Sequence, residues 1–272
     1  MTSIFNFIIP KLPGGGQYPG KSLFKVPYFV CSMIAPIGSG KSTIIYNFIR
    51  LLTSDKEYNK LNPPTVLIFS HNCHIDPTYD VIKKYLTKSN IDHKFNASVF
   101  DTETNKQFKT KIIGDRLGEF MDDYQREIHI DPEPICKSRS CKKSRHIKRT
   151  QKIKPSTSQP IILKPQTIII LDDSNDDLKS NAVQRIIEYA RHYRCKIFIS
   201  TQHIHNIPPC IRVNSMYYIL GYDIPKKKIE LIADEIGINE QSIIDQYNML
   251  KPFDILFVDR KAKKIMINPW VK

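Results

Sequence analysis

The sequence lacks the features that mark membrane-spanning and disulfide-rich secreted proteins. No apolar run in its 272 residues approaches the ~20 residues needed to cross a bilayer. The apolar segment Ile4–Ile9 is too short for a secretory signal and has no basic flank. Six cysteines lie scattered at positions 31, 73, 136, 141, 195 and 210, without the spacing of a disulfide framework. We therefore expect no membrane span and an intracellular, reducing compartment.

Acidic side chains are also scarce, with 27 Asp and Glu against 41 Lys and Arg, which leaves a net charge of +14. Such a chain favours a polyanionic partner, and nucleic acid is the first candidate. Between Asp131 and Gln166, ten Lys and Arg stand against two Asp and Glu. We interpret 131–166 as an inserted basic loop that neutralises phosphates along DNA, although a merely solvated loop would have the same composition.

A glycine-containing loop joins a predicted strand to a predicted helix. The run Val26–Met33 is apolar, and Thr43–Leu52 carries apolar residues at helical spacing. Between them, APIGSGKS brings free backbone N–H groups and a helix N-terminus to one point, which is typical of a phosphate-binding loop (P-loop). Ala35 stands where the usual pattern has Gly, a mild departure. The predicted nucleotide-binding residues are Ala35, Pro36, Ile37, Gly38, Ser39, Gly40, Lys41, Ser42 and Thr43.

Two carboxylates follow a second apolar strand, Thr167–Leu171. Four consecutive large apolar residues suit a central parallel strand that is covered on both faces, and its C-terminal end would meet the P-loop. We expect Asp172 and the Ser42 hydroxyl to hold Mg²⁺, Lys41 to reach the β- and γ-phosphates, and Asp173 to activate the attacking water. Gln202, after the predicted strand Lys196–Ser200, would contact the γ-phosphate or that water.

The remaining pattern predicts one α/β domain over 26–272 after an irregular N-terminal arm, 1–25. Strands are predicted at 65–70, 94–100 and 216–220, helices at 79–86, 116–128, 178–193, 226–236 and 240–250, and a closing hairpin at 254–258 and 264–268. Residues 54–64 are predicted to be a polar loop, and 207–214 a loop with a short turn. Two cysteine-containing groups, His71 with Cys73 and His74, and Cys136 with Cys141, have spacings that a metal could use. Crowding disfavours the first group, and surrounding cations disfavour zinc at the second.

The ordered set of motifs resembles the FtsK–HerA superfamily of additional-strand P-loop ATPases. Within it, the similarity is to the poxvirus-type genome-packaging ATPases of large DNA viruses and virophages. Five stretches carry it: APIGSGKST at 35–43, IIILDD at 168–173, Arg-His at 191–192, STQ at 200–202 and IPPCIRVN at 207–214. Many superfamily members have Asp-Glu where this chain has Asp172-Asp173. Neither the basic insertion nor the final hairpin is explained by the resemblance.

This resemblance implies a fold, an activity and partners. The fold would be a RecA/FtsK-like, mostly parallel sheet flanked by helices, with a C-terminal β-hairpin. The activity would be hydrolysis of ATP with Mg²⁺, coupled to translocation of double-stranded DNA into capsids by a homo-oligomeric ring, a hexamer or a pentamer. A neighbouring subunit would supply an arginine to the transferring phosphoryl group, with Arg212 preferred over Arg191. Capsid or portal-site proteins would be partners, and the host-cell cytoplasm (the viral factory), and the virion, the locations.

Two other functions fit parts of the pattern. A P-loop small-molecule kinase could use the basic insertion as a lid, although its Pro and Lys content suits DNA better. A basic DNA-binding virion protein with a vestigial nucleotide site would also explain the charge. The intact set of Lys41, Ser42, Asp172, Asp173 and Gln202 argues against such decay.

Overall fold

A computed structural model describes residues 20–70, 72–96, 117–122, 166–175 and 177–269. It contains strands β1 (Phe29–Ile34), β2 (Pro64–Ser70), β3 (Asp92–Asn96), β4 (Gln166–Asp172), β5 (Cys195–Thr201), β6 (Tyr217–Gly221), β7 (Ile255–Asp259) and β8 (Lys264–Ile267). The helices are α1 (Lys41–Thr53), α2 (Lys56–Leu61), α3 (Pro77–Lys88), α4 (Asn181–Glu188), α5 (Pro209–Asn214), α6 (Lys226–Ile236) and α7 (Glu240–Tyr247). Residues 117–122 are also helical.

All eight strands form one sheet in the order β3-β2-β4-β5-β1-β6-β7-β8. The strands from β3 to β6 in this order run parallel, whereas β6–β7 and β7–β8 pair antiparallel. β5 lies between the P-loop strand β1 and the acidic strand β4, which is the additional-strand arrangement. The predicted fold class, including the C-terminal hairpin, is confirmed.

Both faces of the sheet are buried, as the unbroken apolar run in β4 predicts. Ile169 and Leu171 belong to one core cluster, together with residues of α4, α6 and α7. Ile168 and Ile170 belong to the other cluster, under α1 and α3. Two neighbours in sequence thus point to opposite layers, as the two-residue period of a strand requires.

The second core extends into the segment predicted as an N-terminal arm. Phe24 is fully buried and stacks on Phe29, with ring centroids 4.3 Å apart. It also meets Phe48, Phe198 and Phe257 at centroid distances of 5.5–5.9 Å. Aromatic rings of this size contribute much buried apolar area, so residues 23–24 pack as part of the domain.

Two predicted loops contain short helices. Within 54–64, Asp55 accepts a hydrogen bond from the Tyr58 N–H at 2.9 Å and so starts α2. Within 207–214, the second of two prolines occupies the first turn of α5, where its missing N–H costs nothing. The loop prediction for 54–64 was wrong where α2 forms, because the cap at Asp55 outweighs the polar composition. In 207–214, the short turn that we predicted is the helix α5.

Other element boundaries differ from the prediction by a few residues. β1 starts at Phe29 rather than at 26, β3 starts at Asp92 rather than 94, and α7 ends at Tyr247 rather than at 250. The predicted helix 178–193 is a 3-10 turn followed by α4, because Ser180 caps the Val183 N–H and starts the helix anew. Residues 97–100 and 123–128 of the predicted elements, and 131–165 of the basic insertion, lie outside the described residues. None of the described helices has the length and apolar character to cross a bilayer.

Candidate nucleotide site

The P-loop leaves β1 and enters α1 with two glycines in the left-handed region. Gly38 has φ 77° and Gly40 has φ 82°, conformations that strain any residue with a Cβ. The loop thus presents backbone to a ligand at the N-terminus of a 13-residue helix. This is the local geometry that the motif predicts for residues 35–43.

Lys41 is held inside the loop that precedes it. Its ammonium donates to the carbonyl oxygens of Ala35, at 3.1 Å, and Pro36, at 3.2 Å, and the side chain is almost wholly buried. Asp173 Oδ2 lies 3.9 Å from Lys41 Nζ. The P-loop and the acidic pair therefore meet at one edge of the sheet.

The acidic strand β4 ends at the same height in the sheet as the neighbouring strands β2 and β5. Asp172 pairs in register with Ser70 of β2 and Ser200 of β5. The next residue, Asp173, has φ 48°, a left-handed conformation that is uncommon outside glycine, and its N–H donates to the Ser200 carbonyl at 3.0 Å. Such strain at the end of a strand is typical of functional sites and here turns Asp173 towards Lys41.

Asp172 is a buried carboxylate with one of its oxygens unused. Oδ2 accepts from the Tyr79 hydroxyl at 2.5 Å and from the Ser70 hydroxyl at 3.3 Å. Oδ1 is buried and accepts no hydrogen bond from any described residue. An orphaned anionic oxygen costs free energy unless a cation or a donor satisfies it. With the Ser42 hydroxyl, Asp172 provides the hard oxygen ligands that Mg²⁺ prefers, so these residues fit the predicted metal.

Helix α3 brings two residues that the sequence reasoning did not assign to the site. Asp76 Oδ2 accepts a hydrogen bond from Ser42 Oγ at 2.6 Å, while Asp76 also caps α3 through the Thr78 N–H. Burial raises the pKa of this carboxyl, but the bonds from Ser42 and Thr78 outweigh it and leave the pKa below its ordinary value.

Tyr79, the second of these residues, is buried beside the acidic strand. Burial and the charge of Asp172 both raise the pKa of its phenol, so it remains a hydrogen-bond donor to that carboxylate. The local sequence signal at these residues is the Asp76-Pro77 pair, which is typical of a helix start and gives no hint of a contact with the P-loop.

The end of β5 is tied to the start of the P-loop. The Ala35 N–H donates to the Thr201 carbonyl at 3.0 Å, and Ile34 pairs in register with Thr201. Gln202 is half-buried and follows the last residue of β5, the strand that lies between the P-loop strand and the acidic strand. Its position suits a residue that responds to the group bound at this edge.

The two candidate arginine fingers lie at the opposite edge of the sheet. Arg212 Nε forms an ion pair with Glu235 Oε2 at 2.9 Å. Arg191 Nη2 lies 4.0 Å from the sulfur of Met216, whose N–H bonds to Val30 near the start of β1. Neither arginine is brought together with the P-loop of its own chain.

The two cysteine-containing groups whose spacing a metal could use are not assembled in the part of the chain that the structure describes. No group of three or more His, Cys, Asp or Glu able to hold a metal occurs among those residues. His71, Cys136 and Cys141 lie outside the described residues. Cys31, Cys73, Cys195 and Cys210 are free.

The structure explains why Ala can stand at position 35, where the usual P-loop motif has Gly. A Cβ added to Gly221 of β6 would lie 2.5 Å from the Cβ of Ala35. Ala35, which stands where the pattern has Gly, therefore fits because its neighbour on β6 has no side chain. The loop is positioned by β6 on one side and by β5 on the other.

Solved viral structures share this fold. The genome packaging NTPase B204 from Sulfolobus turreted icosahedral virus 2, in complex with sulfate, is 14% identical with a TM-score of 0.55, covering 89% of this chain and 96% of that one. B204, the DNA-packaging ATPase from Sulfolobus Turreted Icosahedral Virus, is 13% identical with a TM-score of 0.54, covering 88% of this chain and 96% of that one. At these identities the likeness concerns the fold.

Sequence comparison adds a viral relative and a family. Uncharacterized protein 075L of Invertebrate iridescent virus 6 is 27% identical over 128 residues, which are 43% of this chain and 48% of that protein. The chain thus matches about half the length of this curated relative. The family model of the Poxvirus A32 protein matches residues 121–268, more than half of the chain, and the chain therefore belongs to the poxvirus A32 protein family.

Proposed function

We propose that this protein is an Mg²⁺-dependent ATPase that translocates double-stranded DNA during genome packaging. The observation that carries the proposal is the meeting of Lys41, Asp172 and Asp173 beside a P-loop, at one edge of a parallel sheet. Membership of the poxvirus A32 family and the fold shared with two packaging NTPases support it.

Each residue at this edge has a definite task in hydrolysis. The N–H groups at the start of α1 and the Lys41 ammonium bind the phosphates and neutralise charge on the transferring group. Ser42 and Asp172 would hold Mg²⁺, which supplies electrostatic stabilisation of the phosphoryl oxygens when it is bound. Asp173 accepts the proton of the attacking water, and its left-handed backbone keeps the carboxylate beside Lys41.

The distribution of basic residues supports DNA as the partner. The turn between β7 and β8 lies at the edge opposite the P-loop, because Asp259 pairs with Tyr217 and the Arg260 N–H bonds to the Met216 carbonyl. Lys261, Lys263 and Lys264 are exposed on this turn. Exposed lysines bind DNA phosphates through counterion release, without reading sequence.

The positions of the two candidate arginines support the proposal of a ring. Arg212 and Arg191 are remote from their own P-loop, so either can assist hydrolysis only at the nucleotide of an adjacent subunit. We propose a homo-oligomeric ring, a hexamer or a pentamer, that docks on capsid or portal-site proteins in the host-cell cytoplasm, where the virion is assembled.

Two variants test the hydrolytic site. Lys41→Ala is expected to abolish both ATP binding and hydrolysis, whereas Asp173→Asn is expected to abolish hydrolysis and leave ATP binding intact. ATP binding measured by calorimetry and phosphate release measured with a coupled assay separate the two effects. Glu188→Gln, an exposed change at the C-terminal end of α4, is the control. Hydrolysis at the wild-type rate in both site variants would contradict the assignment.

A further inference from the structure

A cleft opens beside the P-loop, on the side of the loop away from the acidic strand. It is lined by Pro36, Ile37, Gly38 and Ser39 of the loop and by Tyr222, Asp223, Pro252 and Phe253, and it is open to solvent. Tyr222 and Asp223 follow β6, the neighbour of the P-loop strand, and Pro252 and Phe253 precede β7.

The cleft displays large apolar side chains that the core does not use. Phe253 is 76% exposed, Ile37 is 80% exposed and Tyr222 is 36% exposed. Leaving a large apolar side chain in water forgoes the free energy of its burial, and three such side chains around one cleft form an apolar patch that a ligand would cover.

The two segments that carry the aromatic rings are held in place by hydrogen bonds. The Tyr247 hydroxyl donates to the Gly221 carbonyl at 2.8 Å and accepts from the Ile224 N–H at 2.7 Å, which fixes the residues on both sides of Tyr222. Asp254 accepts from the Lys251 N–H at 2.8 Å and from Asn268 Nδ2 at 2.6 Å, which fixes the turn at Phe253.

The backbone of both segments is strained. Asp223 has φ 70° and Phe253 has φ 68°, left-handed conformations that are unfavourable for these residues. Strain that the surrounding hydrogen bonds maintain is typical of binding sites, where it presents a side chain in a fixed orientation.

The position of the cleft relative to the carboxylates identifies its ligand. Asp172 and Asp76 lie on the β4 and β2 side of the P-loop, and the cleft lies on the β6 and β7 side. Because the residues that would hold the metal lie on the first side, the rest of a nucleotide bound in the loop would extend towards the second. Gly38 and Ser39 belong to both the P-loop and the cleft wall, which makes the two regions continuous.

We propose that this cleft is the nucleobase subsite, in which Tyr222 and Phe253 contact the faces of the base and Asp223 supplies a hydrogen-bond acceptor. The inference rests on the proposed binding of nucleotide at the P-loop and extends it. Stacking of a base on an aromatic side chain is worth enough to change an affinity about tenfold or more.

The test compares two ligands that differ in the presence of a nucleoside. The magnesium complexes of ATP and of inorganic tripolyphosphate are titrated by calorimetry into wild type, Phe253→Ala and Tyr222→Ala. The subsite predicts that each variant raises the Kd for ATP by about tenfold and leaves the Kd for tripolyphosphate within about twofold of wild type. Phe253→Tyr, which keeps the ring, restores ATP affinity. Tyr189→Ala removes a 48% exposed aromatic ring outside the cleft and is the matched control.

Three results would overturn the subsite. If both alanine variants bind ATP with wild-type affinity, the two rings do not contact the base. An equal loss for ATP and tripolyphosphate means that the rings act through the P-loop, and the proposed function then stands without the subsite. A wild-type chain that binds neither ligand refutes the proposed function and the subsite together.

Discussion

At the scale of single residues, the hydrogen bonds of its polar atoms define the nucleotide site. Asp172 keeps one oxygen bonded to Tyr79 and Ser70 and one without a described partner, so its geometry is fixed while a ligand position stays open. Asp76 orients the Ser42 hydroxyl in the same way. The residues that would hold the metal are thus oriented by a second layer of residues, which is how metal sites are commonly tuned.

Replacing Tyr79 by Phe should destabilise the protein more than the loss of an ordinary tyrosine hydroxyl. Tyr79→Phe leaves a buried carboxylate oxygen with only the longer bond from Ser70, and we expect the free energy of unfolding to fall by about 1.5–3 kcal/mol. Tyr85→Phe is the control, because that hydroxyl bonds only to Thr53 Oγ1, at 3.0 Å, among the described residues. Urea unfolding of both variants measures the difference, and equal losses would contradict the role given to Tyr79.

At the scale of elements, the P-loop is positioned by its neighbours in the sheet. The close contact between Ala35 and Gly221 makes β6 part of the nucleotide site. Gly221→Ala should lower the free energy of unfolding by about 1–3 kcal/mol through overpacking, and a second change, Ala35→Gly, should recover most of that loss.

The control for this pair is Gly118→Ala, because a Cβ at Gly118 meets no atom of the described residues within 4 Å. It should be neutral or slightly stabilising, since alanine restricts the unfolded chain. Urea unfolding of the single and double variants gives the coupling energy. Additive effects of the Ala35 and Gly221 changes would show that the two positions do not share the space that the structure assigns to them.

The start of β5 carries a buried lysine that makes stability depend on pH. Burial, aided by the nearby charge of Arg194, lowers the pKa of Lys196 from 10.5 to about 7, and its ammonium donates to Gln166 Oε1. Below about pH 7 the Lys196 side chain is protonated in both the folded and the unfolded chain. Between about pH 7 and 10.5 only the unfolded chain holds the proton, so the free energy of unfolding rises with pH.

Lys196→Met should remove this dependence. From about pH 7 to about pH 8.5, we expect the wild type to gain roughly 1–2 kcal/mol more stability than the variant. Urea unfolding at the two pH values measures both gains. Parallel curves for the two proteins would mean that Lys196 has the same protonation in the folded and unfolded chains.

The parts of the fold that could be predicted from sequence depend on local pattern. The apolar run of β4 and the P-loop sequence indicated the acidic strand and the loop, because each is specified within a few residues. Short helices such as α2 and α5 depend on a single cap or proline, and their composition resembles that of loops. The contact between Ser42 and Asp76 joins residues 34 positions apart, and no local pattern encodes it.

At the scale of the whole molecule, the sheet has two functionally different edges. The C-terminal ends of the parallel strands carry the P-loop and the carboxylates. Their N-terminal ends carry Arg191, Arg212 and the basic β7–β8 turn. The Arg260 guanidinium donates to the carbonyl oxygens of Arg212, at 3.3 Å, and Val213, at 3.1 Å, which joins that turn to the end of α5. In the proposed motor, the edge remote from the nucleotide would therefore be the one that offers cations to an adjacent subunit or to DNA.

Mixing inactive subunits tests whether Arg212 acts on a neighbour. Arg212→Ala and Lys41→Ala are each expected to lack ATPase activity, and a mixture should regain part of it, because an intact P-loop then meets an intact arginine. ATPase rates of the separate and mixed proteins measure this. Glu235→Gln, which removes the ion-pair partner of Arg212 and keeps the arginine, should stay active. No recovery in mixtures that form mixed oligomers would exclude Arg212 as the finger.

The most direct test of the proposed motor is the ATPase rate of the full chain with and without double-stranded DNA, at several salt concentrations. We expect duplex DNA to raise the rate, the stimulation to weaken as salt increases, and Lys41→Ala to have no activity under any condition. Salt-sensitive binding of DNA without any turnover of ATP would contradict it and favour a structural DNA-binding protein, and turnover that ignores duplex DNA would equally contradict it.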